Sequence, residues 1–518
     1  MPNYLRTLLI AAATVLAISL IVIVALNQIV KQRVEYFLDH RLPDNIVQTH
    51  DGLLLDTFEG TITLVNPNFS IKNATNDTIH TTVQLEKLIV EDVSYWDYLF
   101  HSEIHIEDIK LKTPRITYYP EKFKKNTNSP SGSKGLITLY KPIRVDELSI
   151  DNAYLHMYEN ANDSIILYVE NATLEIDDIF IDKSIITKRL PITFRDYQAK
   201  ADSLFLKTSE WDALSFGSFQ LKERKATLRS LLWKTKHTPA ELSRLLQKEK
   251  DHIQLSVPEL QINGIDFGFS DRKLFTKSSH IQIDQPVLKL YRDKEVFDDS
   301  KPKKMYSQLL RELPFDLTID SITISKGDVT YTEKVNSGKA GSIRISSLES
   351  SIINLSNTYQ PPLQTKIITS GKFMAVSPFS TTWTFDIQDP QDRFKFTMEG
   401  NRLSATELNS FTEPNLRVRL EGILLKNYLT ISGDATNSVI DMRLRYDDFN
   451  VEVLKADGEK KWLLSIVANL IIADDSKSKE DLFREGRAQV SRDPTKSIFN
   501  YIWRNIRSGL LKTMTGNI

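Results

Sequence analysis

The sequence predicts a mainly β protein. The expected fold is a long curved antiparallel sheet of repeated strand-turn-strand units forming an open apolar groove, with an N-terminal transmembrane helix and a few short covering helices. Three observations lead there. One apolar spacing recurs along the chain, an uncharged apolar segment stands near its start, and clean apolar-polar alternation fills the region beyond residue 370.

The spacing is set by Ile104, Ile106, Ile109, Leu111, Ile116 and Tyr118, anchored on Ile109. It returns at Ile143, Val145, Leu148, Ile150, Leu155 and Met157, and again at Leu255, Val257, Leu260, Ile262, Phe267 and Phe269. A further copy is Leu317, Ile319, Ile322, Ile324, Val329 and Tyr331, and a weaker one runs through Leu167, Val169, Ala172, Leu174, Ile179 and Ile181. Partial copies are Ile62, Leu64, Phe69, Ile71 and Ile281, Ile283, Leu288, Leu290. Residues two apart share one face of a strand, and the longer gap between pairs suits a turn. Pro67, Pro114 and Pro286 occupy one place in that gap, as Gly327 does, where no ladder donor is needed. A unit that cannot bury its own apolar face lays it against neighbours, so stacked copies make one continuous apolar surface. The irregular intervals between anchors argue against a propeller or a tight solenoid.

Bulk composition sets limits. The 518 residues carry a formal charge of −1, which excludes a global basic field for nucleic acid. Cysteine is absent, so there are no disulfides and no thiol chemistry. From Thr7 to Val30 no residue is charged, and about 20 apolar residues suffice to cross a bilayer. A cleaved signal peptide would have a shorter apolar core, of roughly 7–15 residues. An uncleaved single span is therefore expected, although Arg6, Lys31 and Arg33 flank it too evenly for charge to orient it.

Short helices are expected at Lys31 to Leu38, at 239–250 behind the Thr238-Pro239-Ala240-Glu241 start signal, and at Lys303 to Glu312 before Pro314. The aromatic stretch from Tyr95 to Phe100 interrupts the strands, and Asn126 to Gly135 reads as a loop. Trp383, Phe385 and Ile387 should pair with Phe394, Phe396 and Met398 across Asp389-Pro390. The alternation continues through Leu429, Ile431, Ile440, Met442, Leu444 and Tyr446, as in a sheet wet on one side. Thr495 to Thr513 carries Lys496, Arg504, Arg507 and Lys512 and no acid. On a helix Phe499, Ile502, Trp503, Ile506 and Leu510 form one stripe, which is expected to plug the open end of the sheet, to contact a membrane, or to do both. The segments are 1–30 (anchor), 31–125 (first repeat region), 126–370 (middle repeats with helical insertions), 371–455 (C-terminal β region) and 456–518 (tail).

Catalytic patterns give no positive support for an enzyme, and no cofactor is implied. No phosphate-cradling glycine loop or GxSxG elbow is present, and Asn336-Ser337-Gly338-Lys339 lacks the required spacing. His101 and His105 stand four apart without a third ligand, which reads as solvated surface. Asp177-Asp178 and Asp447-Asp448 read as solvated turns at strand ends.

The unit from Val83, Leu85, Leu88 and Val90 through the aromatic stretch to Ile104, Ile106, Ile109, Leu111, Pro114 and Ile116 resembles the AsmA-like family of bacterial inner-membrane-anchored envelope proteins. The block from Thr406-Glu407-Leu408-Asn409 through Pro414 to Tyr446-Asp447-Asp448-Phe449 is similar to that family's C-terminal region, while 185–250 departs from the pattern. The resemblance covers most of 1–455. It implies a groove related in design to bridge-like lipid transfer proteins, a single-pass inner-membrane anchor, a periplasmic body and movement of phospholipid between inner and outer membranes. Implied partners are phospholipid, the inner membrane, and an outer-membrane or envelope protein at the C-terminal end, with no nucleic acid. The expected lipid-binding floor is Ile109, Leu111, Ile116, Leu148, Ile150, Leu155, Met157, Leu260, Ile262, Phe267, Phe269, Ile281, Ile283, Leu288, Leu290, Ile322, Ile324 and Val329. The expected membrane contact is Phe499, Ile502, Trp503, Arg504, Ile506, Arg507 and Leu510. The competing architecture closes the same apolar face with a second sheet into a dry core, which suits a scaffold or assembly factor.

Overall fold

The computed structural model describes residue 28 and residues 30–515, apart from 41, 57–58, 74–75, 95–100, 102, 125–140, 160–163, 187, 271, 336–337 and 455–482. The expected membrane span up to residue 27, the aromatic stretch at 95–100 and the loop at 126–135 lie outside the described residues. No helix among the described residues is long and apolar enough to cross a membrane. The chain forms two compact units, one of Met1–Lys207 with Phe216–Glu223 and one of Thr208–Ser215 with Arg224–Ile518.

The first unit begins with a helix at residues 30–40. Its strands are β1 (Ile46–Thr49), β2 (Gly52–Asp56), β3 (Thr61–Val65), β4 (Asn68–Lys72), β5 (Ile79–Gln84), β6 (Lys87–Val93), β7 (Ile104–Lys112), β8 (Arg115–Tyr118), β9 (Ile143–Glu159), β10 (Ser164–Ile181), β11 (Asp196–Ala201) and β12 (Ser203–Lys207). After β13 (Asp212–Phe216), most of which belongs to the second unit, β14 (Ser218–Lys222) returns to pair with β11. Several of these strands lie end to end. β3 pairs with β2 and β6 while β4 pairs with β1 and β5, and the register is unchanged across the break: Ile62 faces Val90 and Phe69 faces Val83. β7 and β8 both run parallel to β9, with Ile109 opposite Leu148 and Ile116 opposite Leu155.

The second unit repeats the design. β15 (Lys225–Thr235) pairs with β13 and with β16 (His252–Asn263). β17 (Asp266–Ser270) continues β16 along β18 (Lys273–Asp284), and β18 and β19 (Val287–Asp293) together run parallel to β20 (Asp316–Lys334). Antiparallel neighbours follow through β21 (Gly341–Ser356), β22 (Thr365–Phe373), β23 (Ser377–Phe385), β24 (Phe394–Gly400), β26 (Val418–Gly433), β27 (Asn437–Val453) and β28 (Arg484–Ser491), with the short β25 (Leu403–Ser404) also on β26. The helices are α1 (Pro239–Leu245), α2 (Tyr306–Arg311), α3 (Asn409–Leu416) and α4 (Ile498–Thr515).

Two expectations need correction. The sheets are mixed rather than antiparallel, because β7–β8 against β9 and β18–β19 against β20 are parallel. Parallel neighbours need a crossover instead of a hairpin, and α2 lies in the second of these crossovers. The repeated gap is also not a turn. In six of the seven copies the chain passes straight on through one residue in the left-handed region four positions after the anchor: Asn66 (φ 48°), Thr113 (φ 50°), Asn152 (φ 52°), Gly264 (φ 63°), Gln285 (φ 51°) and Lys326 (φ 52°); the weaker copy, anchored on Ala172, does not follow this placing. Side chains alternate along a strand, so the odd spacing from Leu111 to Ile116 would turn the second pair to the wrong face. The left-handed residue absorbs the odd step and returns Ile116 and Tyr118 to the side of Ile109, and because Asn152 of β9 breaks opposite Thr113 the pairing keeps its register. The prolines do stand where no donor is needed, and their carbonyls accept: Tyr154 donates to Pro114 and Asp328 to Pro286, each at 2.8 Å. Asp177-Asp178 and Asp447-Asp448 likewise lie inside β10 and β27 rather than in turns, with φ 51° at Asp178 and 47° at Asp448.

The pairing of Trp383 with Phe396 and of Phe385 with Phe394 is as expected, and Ile387 lies just past the strand. α1 starts on the expected capping box, with Glu241 N–H donating to Thr238 Oγ1 and Thr238 N–H to Glu241 Oε2. It stops at Leu245 rather than 250, where Leu246 turns to extended backbone (φ −76°, ψ 132°). Glu249 is instead drawn into a buried ion cluster, its side chain 1% exposed, 2.8 Å from Lys294 and within 4 Å of Arg292, Lys303 and Lys496. α2 begins three residues late because Lys303 is held extended, donating to Pro494 and accepting from Arg492.

The left-handed positions make a distinguishing prediction. In an ordinary strand a glycine replacement costs roughly 0.5–1 kcal/mol. At Thr113 the β-branched side chain sits in the left-handed region, so Thr113→Gly should instead raise unfolding free energy by about 1 kcal/mol. Gly264→Val, forced against Ser279, should lower it. Urea midpoints at constant m-value check both.

Candidate functional site: apolar rows across the strands

Register converts the repeated spacing into rows that cross the strands. In the first unit one row is Leu53, Leu64, Leu88, Leu111, Ile150, Leu174, Ala199 and Leu221. A second is Phe69, Val83, Ile116, Leu155, Val169 and Leu204. In the second unit the longest row runs Ala226, Ile262, Ile281, Ile322, Ile352, Ile367, Trp383, Phe396, Ile431, Ile440 and Ala488. Beside it, Leu228, Leu260, Ile283 and Ile324 give way to Ser350, Thr369 and Thr381 before Met398, Leu429 and Met442 resume. Those hydroxyls satisfy one another, with Ser350 Oγ 2.9 Å from Thr369 Oγ1.

Sixteen of the expected floor residues are half-buried, and Phe267 and Phe269 are exposed. Neighbours on the same sheet screen their flanks, and among the described residues none of the three buried apolar clusters includes them. The ends of the rows differ. Leu53 and Leu64 are buried beneath Leu38 of the helix at 30–40. Ile431, Ile440 and Leu444 are fully buried where α4 lies on β26, β27 and β28.

α4 seats on the sheet through a face rotated from the expected stripe. Ile502 is buried, and Ile506 and Leu510 pack at the edge of the core, but Phe499 is 62% and Trp503 43% exposed. The true inner face is Ile498, Tyr501, Ile502, Asn505, Gly509 and Thr513. Three of these are small or polar, which hid them from an apolar-stripe reading; their four-residue spacing was the available signal. They allow close approach. A Cβ on Gly509 would stand 3.0 Å from Ile440 Cδ1, and one on Gly486 would collide with Thr513. Buried Asn505 is matched by polar partners, accepting from Ser438 Oγ at 2.8 Å and donating to the Tyr501 carbonyl at 2.9 Å.

Elsewhere the polar groups read as structure. His105 Nε2 lies 2.9 Å from Asp146 Oδ2 across strands. At the rim of the second unit, Tyr331 donates to Glu333 at 2.6 Å, and burial, then Glu333, pushes its phenol well above the ordinary value. Burial works against the Arg292 charge, but paired contacts of 2.6 and 2.7 Å to Asp251 outweigh it and hold the guanidinium protonated.

Neither a family model nor a curated protein matches the chain.

Uneven cover predicts uneven sensitivity along a single row. Ile440→Ala should cost about 3–5 kcal/mol, the range for a fully buried site, and Ile322→Ala about 1 kcal/mol, since less surface is removed from contact. Chemical unfolding of the two variants side by side measures the contrast; equal losses would mean that a layer covers both.

Proposed function

We propose that this chain is a non-enzymatic, membrane-anchored envelope protein whose apolar sheet face shields lipid acyl chains and so moves phospholipid between inner and outer membranes. The observation that carries the reading is the uncovered stretch of each row. Ile109, Leu111, Leu148 and Ile150 in one unit, and Ile281, Ile322 and Ile324 in the other, form apolar rows with half-exposed tips and no overlying layer among the described residues. Leaving such tips in water is unfavourable, by about 25 cal/mol for each Å² of apolar surface. An acyl chain laid across them removes that surface from water while its headgroup stays at the polar rim. The resemblance to AsmA-like proteins supports the same role, with residues 1–6 cytoplasmic, the uncharged segment from Thr7 as anchor and the body in the periplasm.

Photocrosslinking in the full-length chain tests the reading. Benzoylphenylalanine at Ile150 or Leu288 should yield adducts of phospholipid mass, and at Ile440, beneath α4, it should not. Ile150→Asp should abolish lipid capture with little change in the melting transition, because the charge is desolvated only when a chain passes over it. Adducts to protein alone, or loss of the fold in Ile150→Asp, would favour a closed scaffold.

A further inference from the structure

One carboxylate at the rim of the second unit carries a charge that nothing beside it answers. On β20, Val329, Tyr331 and Glu333 lie on one side of the strand, the side of the apolar rows. The register sets Leu290 and Ile343 beside Tyr331, and Arg292 and Gly341 beside Glu333, so the apolar face ends where Glu333 begins. Tyr331 donates to Glu333 at 2.6 Å, and no ion pair involves the Glu333 carboxylate among the described residues. The cations next to it are turned elsewhere. Arg292 gives its paired bonds, 2.6 and 2.7 Å, to Asp251, and Lys334 lies with Asp293 and Glu295. A half-buried carboxylate without a counter-charge is unfavourable.

A donor stands at the same place from the other side. α3 passes over Gly341, whose N–H donates to Asn415 Oδ1 at 3.3 Å. Residues opposite one another share a face, so a Cβ on Gly341 would mark the side on which Glu333 projects. That Cβ would stand 2.5 Å from Asn415 Nδ2. Asn415 is 9% exposed, and its Nδ2 is buried with no hydrogen-bond partner among the described residues. Buried donors ordinarily have one.

We infer that this notch between β20, β21 and α3 takes the headgroup of a phospholipid bearing a primary ammonium, phosphatidylethanolamine, whose acyl chains lie on Leu288, Leu290 and Ile343. The ammonium pairs with Glu333, and the phosphate accepts from Asn415 Nδ2. An anionic headgroup would be repelled by Glu333, and a trimethylated one has no N–H to give it. The inference rests on the sheet carrying lipid, and it adds which lipid the second unit selects.

The full-length chain with benzoylphenylalanine at Ile343, or at Ile150 in the other unit, would be irradiated in vesicles of equal phosphatidylethanolamine, phosphatidylcholine and phosphatidylglycerol. Mass spectrometry then reads the headgroup of each adduct. At Ile150 the adducts should follow the supplied ratio. At Ile343 phosphatidylethanolamine should be enriched about fivefold, the discrimination expected of a partly exposed ion pair. Glu333→Gln still accepts from Tyr331, so it should return Ile343 to the supplied ratio with the same total adduct and an unmoved melting transition. Lipid adducts at Ile150 with none at Ile343, or with the supplied ratio there, overturn the inference and leave lipid carriage standing. Enrichment that survives Glu333→Gln overturns it as well. Absence of lipid at both positions removes the carrier reading, and this inference with it.

Discussion

The architecture depends on a single constraint, that an apolar pair of residues must return to the same side of the sheet after an odd number of steps. Alternation alone cannot do this, since a shift of one residue sends every later side chain to the opposite face. In six of the seven copies the chain meets the constraint with a left-handed residue four positions after the anchor, and only one of the six, Gly264, is a glycine. The others accept backbone strain of about 1–2 kcal/mol apiece. Each is offset by the two apolar side chains beyond the break that would otherwise face water. Because adjacent strands break at the same level, the ladder keeps its register, as Ile62–Val90 and Phe69–Val83 do.

Cover follows from what the ends of the rows offer. At the C-terminal end, Gly486, Gly509 and Thr513 let a helix come close enough for Ile440 and Met442 to contact its backbone, and the row closes there. Between β16 and β20 no helix lies over the row among the described residues, and the chemistry of the side chains is the same: Ile262, Ile281 and Ile322 are half-buried where Ile431 and Ile440 are fully buried. The difference lies in the element above, not in the strands beneath.

Much of this was legible in the sequence. The copies fell on the correct residues to the extent that Ile281, Ile283, Leu288 and Leu290 lie directly opposite Ile322, Ile324, Val329 and Tyr331 in the parallel pair. Their meaning was misread, because a gap holding Pro114 or Pro286 resembles a turn, and only the backbone shows it passing straight on. Parallel pairing was invisible for a related reason: two copies of one spacing pair equally well in either sense. The terminal helix was found, but its inner face was not. Asn505 and Thr513 are buried through hydrogen bonds that no hydropathy pattern records, and the aromatic residues that dominate the pattern, Phe499 and Trp503, point outward.

An uncovered apolar row can act only through what it excludes from water, which makes continuity along the row more important than any one residue on it. An acyl chain of about 16 carbons, at about 0.8 kcal/mol per CH₂, costs on the order of 10 kcal/mol to transfer into water. A path that interrupts contact therefore stops it, while a path of equivalent side chains about 4.8 Å apart, the spacing of strands, lets it advance by steps of similar energy. In the second unit the apolar face narrows at β21 to β23, where Ser350, Thr369 and Thr381 replace one of two neighbouring rows and leave Ile352, Ile367 and Trp383 to continue alone. The hydroxyls there bond to each other and to backbone. The apolar face is thus two rows wide from β15 to β20 and again from β24 to β27, and one row wide at the three strands between, a narrowing set by residue choice in an otherwise regular sheet.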